Sequence, residues 1–237
     1  IRHSRVFIVL HAGNGAPMSE VIGGRAERSS YLSRRYTILF YSLLFTMIAA
    51  PVLTALKFKG TLIELLLAMN LVASIMPVRT ETSRRALLTL TIVVWLAREV
   101  TAWFHHPALS VLTLGLWTLI GLCAAAASLR FAMSGDSVDT EHLYAALSAY
   151  MLAGIFFGLF YWVMEQTGPG NFSTGAEFSR VSALYFSFVT LATLGYGDIV
   201  PRTDVARGIA IIEAVGGQLF LAVLVARLVS GYGRRHA

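Results

Sequence analysis

Long apolar stretches are the feature that most limits what this chain can fold into. Six of them occur, and they cover residues 36–56, 61–77, 86–104, 108–129, 143–164 and 205–230. A helix needs roughly 20 apolar residues to cross a hydrocarbon core of about 30 Å. Only 14% of the residues are charged, against about 25% in a soluble domain. The sequence therefore predicts an all-α membrane protein with six transmembrane helices.

Basic residues between the apolar stretches indicate their orientation. Arginines precede the first stretch, follow the second and the fourth, and close the sixth: Arg25, Arg28, Arg34, Arg35, Arg79, Arg84, Arg85, Arg130, Arg227, Arg234 and Arg235. The opposite orientation leaves fewer basic residues inside: Lys57, Lys59, Arg202 and Arg207. Because Lys and Arg concentrate on the cytoplasmic side, both termini are predicted to be cytoplasmic.

The segment between the fifth and sixth stretches is more than a simple loop. It begins polar and glycine-rich at residues 166–171 and continues into a short apolar run at 181–192. That run is too short to cross a membrane and too apolar for water, so it predicts a re-entrant half-helix that enters from outside. Non-helical backbone at membrane depth is tolerated only where protein or a watery pathway satisfies its polar groups.

The half-helix is followed by Thr193-Leu194-Gly195-Tyr196-Gly197 and then Asp198. Glycine adopts left-handed torsions at little cost, so alternating torsions would turn successive carbonyl oxygens toward one axis. One strand cannot surround an ion, whereas four copies around a fourfold axis would replace the water shell of a cation with rings of oxygens. The Thr193 hydroxyl would add a ring at the inner end. The negative carboxyl end of the half-helix would favour a cation in the cavity below.

At these residues the chain resembles the potassium channel family, in which backbone carbonyls form the selectivity filter. The family signature is Thr-Val-Gly-Tyr-Gly-Asp, and five of the six residues match here. The resemblance extends over residues 141–232 and includes Pro201. It implies a homotetramer that conducts K⁺ passively, with no enzyme activity and no cofactor. The residues that it implies for the filter and for K⁺ binding are Thr193, Leu194, Gly195, Tyr196 and Gly197.

Two departures from the family pattern affect the filter and its support. Leu194 replaces the usual valine, and since this position contributes its carbonyl, we expect selectivity to persist with altered filter rigidity. Some channels carry a glutamate on the half-helix that pairs with the aspartate after the filter, but this chain has Val189 there. The family's aromatic donor corresponds to Tyr185. We therefore predict a hydrogen bond from Tyr185 to Asp198 that braces the filter, with Phe186 as a packing neighbour.

The sixth stretch contains a glycine pair and a buried acid. Gly217 lies at a position similar to the hinge glycine of the family's inner helix, and Gly216 precedes it. Tandem glycines allow a helix to bend, but small residues are also common where membrane helices pack closely, and both interpretations stay open. Glu213 is costly in a membrane and is by default a functional candidate. We favour a hydrogen bond from it to a serine or threonine behind the half-helix.

The first four stretches, within residues 36–132, are predicted to form a four-helix bundle that resembles a voltage-sensor domain. Voltage-gated relatives carry arginines at every third position of the fourth helix, whereas this one has no basic residue before Arg130. The sensing arginines are therefore missing. The charged residues inside the bundle are Glu64, Arg98 and Glu99, and an ion pair between Glu64 and Arg98 is favoured over a gating charge.

The remaining segments complete the domain organisation. Residues 1–35 form a cytoplasmic N-terminal segment whose polar composition allows disorder, and the first 17 of them, before Met18, are assigned no function. Residues 140–232 form a pore domain with an outer helix, a pore helix, a selectivity filter and an inner helix. Residues 233–237 are a short cytoplasmic tail, so we expect no attached gating domain. A compact chain of this kind suits the cytoplasmic (inner) membrane of a prokaryote.

The composition favours no other chemistry. A single cysteine, Cys123, offers neither a disulfide framework nor a thiolate metal site. The histidines lack ligand spacing, and no phosphate-binding glycine loop occurs. The net charge of +6 fits contact with anionic lipids better than with nucleic acid.

Three alternatives to a potassium-selective channel are open at this point. A non-selective cation channel is disfavoured by the intact Tyr196. A potassium transporter subunit typically has four degenerate single-glycine loops in one chain, whereas this chain has one complete filter sequence. A non-conducting membrane adaptor or sensor would use the four-helix bundle to bind a partner. Gating by tension, lipid, pH or constitutive opening is compatible with the sequence.

Overall fold

The computed structural model describes residues 34–56, 60–75, 81–103, 107–134, 139–175 and 177–233. These residues form helices α1 (Arg35–Ala55), α2 (Gly60–Ile75), α3 (Glu81–Trp103), α4 (Pro107–Ala132) and α5 (Thr140–Thr167), strand β1 (Phe172–Thr174), helix α6 (Arg180–Leu191), strand β2 (Ile199–Pro201) and helix α7 (Asp204–Gly233). The protein is mostly helical, which confirms the predicted fold class in its coarse form.

Four of the described helices are long and apolar enough to cross a membrane: Arg35–Ala55, Leu109–Ala132, Thr140–Thr167 and Asp204–Ser230. The second and third predicted spans are helices as well, but they do not reach this length and apolarity. Helix α2 has 16 residues and rises about 24 Å, and α3 contains Arg84, Arg85 and Arg98. Helix α3 begins at Glu81 rather than at residue 86 because the helix continues through polar residues that lie outside the apolar run.

Helix α5 is the central element and packs against α1, α4 and α6. Its first turn also holds the start of α1. The backbone N–H of Tyr36 and the hydroxyl of Thr37 donate to the Glu141 carboxylate over 2.9 Å and 2.6 Å. A carboxylate at this place complements the positive amino end of α1. Helix α1 is therefore attached to α5 by a polar contact as well as by apolar packing.

Helix α6 lies against both α5 and α7. It begins at Ser179, whose side chain caps the helix by accepting a hydrogen bond from the N–H of Ser182 over 3.1 Å. Gly154 and Gly158, one turn apart on α5, face α6, and a Cβ atom added at Gly158 would lie 2.8 Å from the Cα of Leu184. Small residues with this spacing let membrane helices approach closely, so α6 packs directly against the backbone of α5.

The close approach of α5 and α6 predicts that Gly158→Ala destabilises the protein. The added methyl group meets backbone, and overpacking of this kind costs about 1–3 kcal/mol. Gly115→Ala on α4 is the matched control, because nothing lies within 4 Å of a Cβ atom there, and it should be neutral or stabilising by up to roughly 1 kcal/mol. Thermal unfolding of both variants in detergent measures the difference. Equal unfolding temperatures would contradict the close approach.

Candidate functional site

The end of α6 has a defined hydrogen-bond pattern. The N–H of Thr193 donates to the carbonyl of Thr190, and the N–H of Leu194 donates to the carbonyl of Val189, both over 2.9 Å. These two bonds are those of a Schellman motif, which satisfies the last carbonyls of a helix and needs a left-handed residue just beyond it. That residue is Thr193, with φ of 54°. The helix therefore stops by a sharp change of torsion at a position where glycine is usual.

The torsions alternate after α6. Positive φ values occur at Thr193, Gly195 and Gly197, at 54°, 58° and 78°, whereas Leu194 and Tyr196 between them have negative φ. The left-handed torsions that the sequence predicts for the two glycines are present. The one at Thr193 was not predicted, and it costs a non-glycine residue about 1–2 kcal/mol. Such strain is concentrated at ligand clamps and similar sites.

This segment lies at the surface of the single chain. Residues 192–198 are all exposed, and the side chains of Leu194 and Tyr196 are 56% and 66% exposed. Two large apolar side chains beside a strained backbone are therefore available for contact with other molecules.

Tyr185 lies close enough to Asp198 for the two side chains to interact electrostatically, and the Tyr185 ring stacks on Tyr196 with centroids 6.4 Å apart. The hydrogen bond between the Tyr185 hydroxyl and the Asp198 carboxylate stays a prediction. Phe186 faces the other way and is 5% exposed. Its ring packs edge-on against Tyr161 and Phe172. Tyr185 thus contacts the segment after α6 directly, while Phe186 holds α6 in the interior.

Gln218 is a site residue that the sequence did not single out. Its side-chain amide donates to the Thr193 hydroxyl over 3.0 Å. The reason lies in the preceding residue, since a Cβ atom at Gly217 would lie 2.6 Å from the carbonyl oxygen of Leu191. Gly217 therefore allows α7 to touch the end of α6, which brings Gln218 within reach of Thr193. Gly216 has open space around it, and α7 continues through both glycines.

The polar segment between α5 and β1 also supports the site, a role for which the sequence did not single it out. Asn171 is its centre. The backbone N–H of Asn171 donates to the Glu165 carboxylate over 2.9 Å, and the Thr203 hydroxyl donates to the side-chain oxygen of Asn171 over 2.8 Å. The N–H of Arg202 donates to the Asn171 carbonyl over 2.7 Å, and β1 pairs antiparallel with β2. The chain beyond Asp198 is thus anchored to the end of α5.

The structure describes two of the four charged side chains that the sequence places inside the membrane. Glu213 is 1% exposed, and it bonds to Ser187 on α6, the kind of partner that the sequence suggested. Arg98 on α3 is 8% exposed. The side chains of Glu64 and Glu99 lie outside the described residues, so the ion pair between Glu64 and Arg98 stays a prediction.

Known proteins are similar to this chain in the part that contains the candidate site. A family model described as an ion channel matches residues 145–232. The chain is 38% identical over 91 residues to "Two pore potassium channel c" of Oryza sativa subsp. japonica, covering 38% of this chain and 18% of that one. It is 32% identical over 105 residues to "Protein LctB" of Bacillus caldotenax, covering 41% of this chain and 78% of that one.

The chain belongs to the potassium channel family. It is also 31% identical over 90 residues to a "Voltage-gated potassium channel" of Aeropyrum pernix, of which it covers 29%. The matched residues cover less than a third of the length of the rice and archaeal channels, whereas they cover most of the length of Protein LctB. No solved structure matches the chain significantly. The matched region of the channel contains α6, the segment after it, and α7.

The packing at Gly217 predicts unequal effects for the two neighbouring glycines of the channel. Gly217→Ala places a methyl group against the end of α6 and should destabilise the protein by about 1–3 kcal/mol. Gly216→Ala meets nothing and should leave stability unchanged or raise it by up to roughly 1 kcal/mol, because alanine favours helix. Thermal unfolding of the purified variants tests this. A loss of stability in Gly216→Ala alone would reverse the assignment.

If the Tyr185 hydroxyl donates to Asp198 as predicted, Tyr185→Phe should weaken the segment after α6 without unfolding the protein. The variant keeps the ring that stacks on Tyr196 and loses only the hydroxyl. Single-channel records should therefore show a several-fold faster loss of conduction during prolonged opening, with unchanged protein yield. Unchanged conductance and unchanged inactivation would rule out the brace.

Proposed function

We propose that this protein is a potassium-selective channel that passes K⁺ down its electrochemical gradient. The observation that carries the proposal is the alternation of backbone torsions from Thr193 to Gly197, placed directly at the end of the 12-residue helix α6. Such alternation turns successive carbonyl oxygens to one side of the strand. In the proposal, α6 is the re-entrant pore helix, residues 193–197 are the filter, and α7 is the inner helix.

Potassium would be bound by oxygen atoms alone. The carbonyls of residues 193–196 and the Thr193 hydroxyl would replace the hydration shell of the ion, as carbonyl rings do in potassium filters. Gln218 would hold the Thr193 hydroxyl at the inner end. The carboxyl end of α6 carries partial negative charge, which favours a cation in front of it. The proposal needs no cofactor and includes no enzymatic step.

A homotetramer is proposed because each chain offers one filter segment, and several copies are needed to surround an ion. The exposed apolar surface of the chain supports assembly. Only 17% of the apolar 18-residue stretch of α7 is buried in the single chain, whereas 61% of the corresponding stretch of α5 is buried. Large side chains on α7 are more than half exposed, among them Ile211, Ile212, Val215 and Leu219. Neighbouring copies and lipid would share this surface.

The rest of the architecture is proposed as follows. All six helices α1–α5 and α7 cross the membrane, and both termini are cytoplasmic in a prokaryotic inner membrane. Helices α1–α4 form a peripheral bundle without sensing arginines, and residues 140–232 form the pore domain. The partners are other copies of the chain, membrane lipids and K⁺.

Flux measurements on the purified protein in liposomes test the proposal. Fast K⁺ flux that is blocked by barium, with little Na⁺ flux, is expected. Gly195→Ala should lower K⁺ flux by at least about tenfold, because a left-handed torsion costs an alanine roughly 1–2 kcal/mol in every subunit. Gly115→Ala is the control and should conduct normally.

Other results would select one of the alternatives. Equal Na⁺ and K⁺ flux would indicate a non-selective cation channel. Slow saturating flux would indicate a transporter subunit, and absence of flux a non-conducting adaptor or sensor. Light scattering of the detergent-solubilised protein tests the assembly separately, and a monomer or a dimer would contradict the tetramer.

A further inference from the structure

A polar cluster is buried behind the proposed filter, where α5, α6 and α7 meet. Glu213 of α7 accepts a hydrogen bond from the hydroxyl of Tyr161 on α5 over 2.6 Å. The hydroxyl of Ser187 on α6 lies 2.5 Å from the other oxygen of Glu213 and 2.7 Å from the carbonyl oxygen of Gly154 on α5. The three side chains are at most 1% exposed. None of them belongs to the proposed filter.

The number of protons in this cluster can be counted. A carbonyl and an ionised carboxylate only accept hydrogen bonds, and a serine hydroxyl has a single proton to give. With Glu213 ionised, that single proton would have to serve both short contacts of Ser187, and one pair of oxygens would repel. With Glu213 protonated, its Oε1 donates to Ser187, Ser187 donates to Gly154, and Tyr161 donates to Oε2. Only the neutral acid gives each contact one proton.

The charges around Glu213 lead to the same protonation state. In the part of the chain that the structure describes, the titratable groups that face it are Tyr161 and Tyr150 on α5. Helix α6 contributes the hydroxyl of Ser187, and neither helix places a basic group beside Glu213. A buried carboxylate without a counter-charge is strongly disfavoured, whereas a neutral carboxyl with two hydrogen bonds is not.

Glu213 is also well placed to act on the filter. Gly217 lies four residues later, so the two residues share one face of α7, and Gly217 touches the last carbonyl of α6. Gln218 follows and bonds to Thr193. The bonds of Glu213 and the packing of Gly217 therefore fix the same face of α7 against α6, one turn apart.

We propose that Glu213 is a positioning residue that works in its protonated form, joining α7 to α6 and α5 behind the filter. Loss of its proton as the pH rises would break the bond to Ser187 and release α6, so that conduction falls in alkaline solution. This inference rests on the proposed channel function. It assigns to the channel a built-in sensitivity to alkaline pH.

Glu213→Gln provides the test. The amide donates to Ser187 through its nitrogen and accepts from Tyr161 through its oxygen, so it reproduces the neutral acid at every pH. K⁺ current of the wild type should fall by about tenfold between mildly acidic and strongly alkaline solution, as expected for the loss of a hydrogen bond in the pore support. Glu213→Gln should conduct like the wild type in acid and show no fall. The matched control is Glu177→Gln, which alters an exposed acid and should keep the wild-type fall.

A pH-independent wild type, or an alkaline fall that persists in Glu213→Gln, would overturn the inference. Infrared spectroscopy gives a second readout that needs no conduction. The wild type should show the carbonyl stretch of a protonated carboxyl group at neutral pH, which disappears in alkaline solution and is missing in Glu213→Gln. Absence of that band from the folded wild type would overturn the inference even if Glu213→Gln fails to fold. A protein that shows the band and does not conduct would instead refute the channel function.

Discussion

The structure depends on one constraint, that a chain leaving the helical conformation inside a membrane must still satisfy its backbone polar groups. Helix α6 has 12 residues and ends well short of a span. The Schellman bonds satisfy the carbonyls of Val189 and Thr190. Beyond them the backbone at residues 193–197 alternates in torsion and cannot continue the helical pattern. In the proposed tetramer, a permeant cation would stabilise these carbonyls, so the proposal explains the observed torsions by the ion and the assembly together.

Most other contacts around α6 serve to hold this helix in place. Two glycines of α5 let it approach, and the buried cluster around Glu213 binds its rear face to α5 and α7. Aromatic rings of α5, β1 and α6 also pack together, with Tyr161, Phe172 and Phe186 in mutual contact. Beyond Asp198, Asn171 ties the returning chain to the end of α5. Contacts with α5, α7, β1 and Asn171 therefore hold α6 and the strained segment that follows it in place.

The sequence predicts the elements well, because hydrophobic length determines where helices lie and glycine marks where the backbone must turn. The helix positions and the torsions of Gly195 and Gly197 follow from local pattern. The proximity of Tyr185 to Asp198 follows from the family resemblance. Thr193 was missed because a β-branched residue is an unlikely choice for a left-handed torsion.

Other contacts depend on the tertiary approach of helices that are distant in sequence. Gln218 reaches Thr193 only because α7 packs tightly on α6, and no local pattern reports that distance. For the same reason the sequence left the hinge and packing roles of Gly216 and Gly217 open, and it named a serine or threonine partner for Glu213 without its position.

The contact of Glu141 with the start of α1 has a mechanical consequence. Two hydrogen bonds to one carboxylate join the peripheral bundle to the first turn of α5, so the force between them does not have to pass along the covalent chain. A displacement of α1 would therefore act on α5 at that point, and α5 is the helix against which α6 packs. The Glu141 carboxylate is thus a direct mechanical link between α1 and the helix that supports the proposed pore helix.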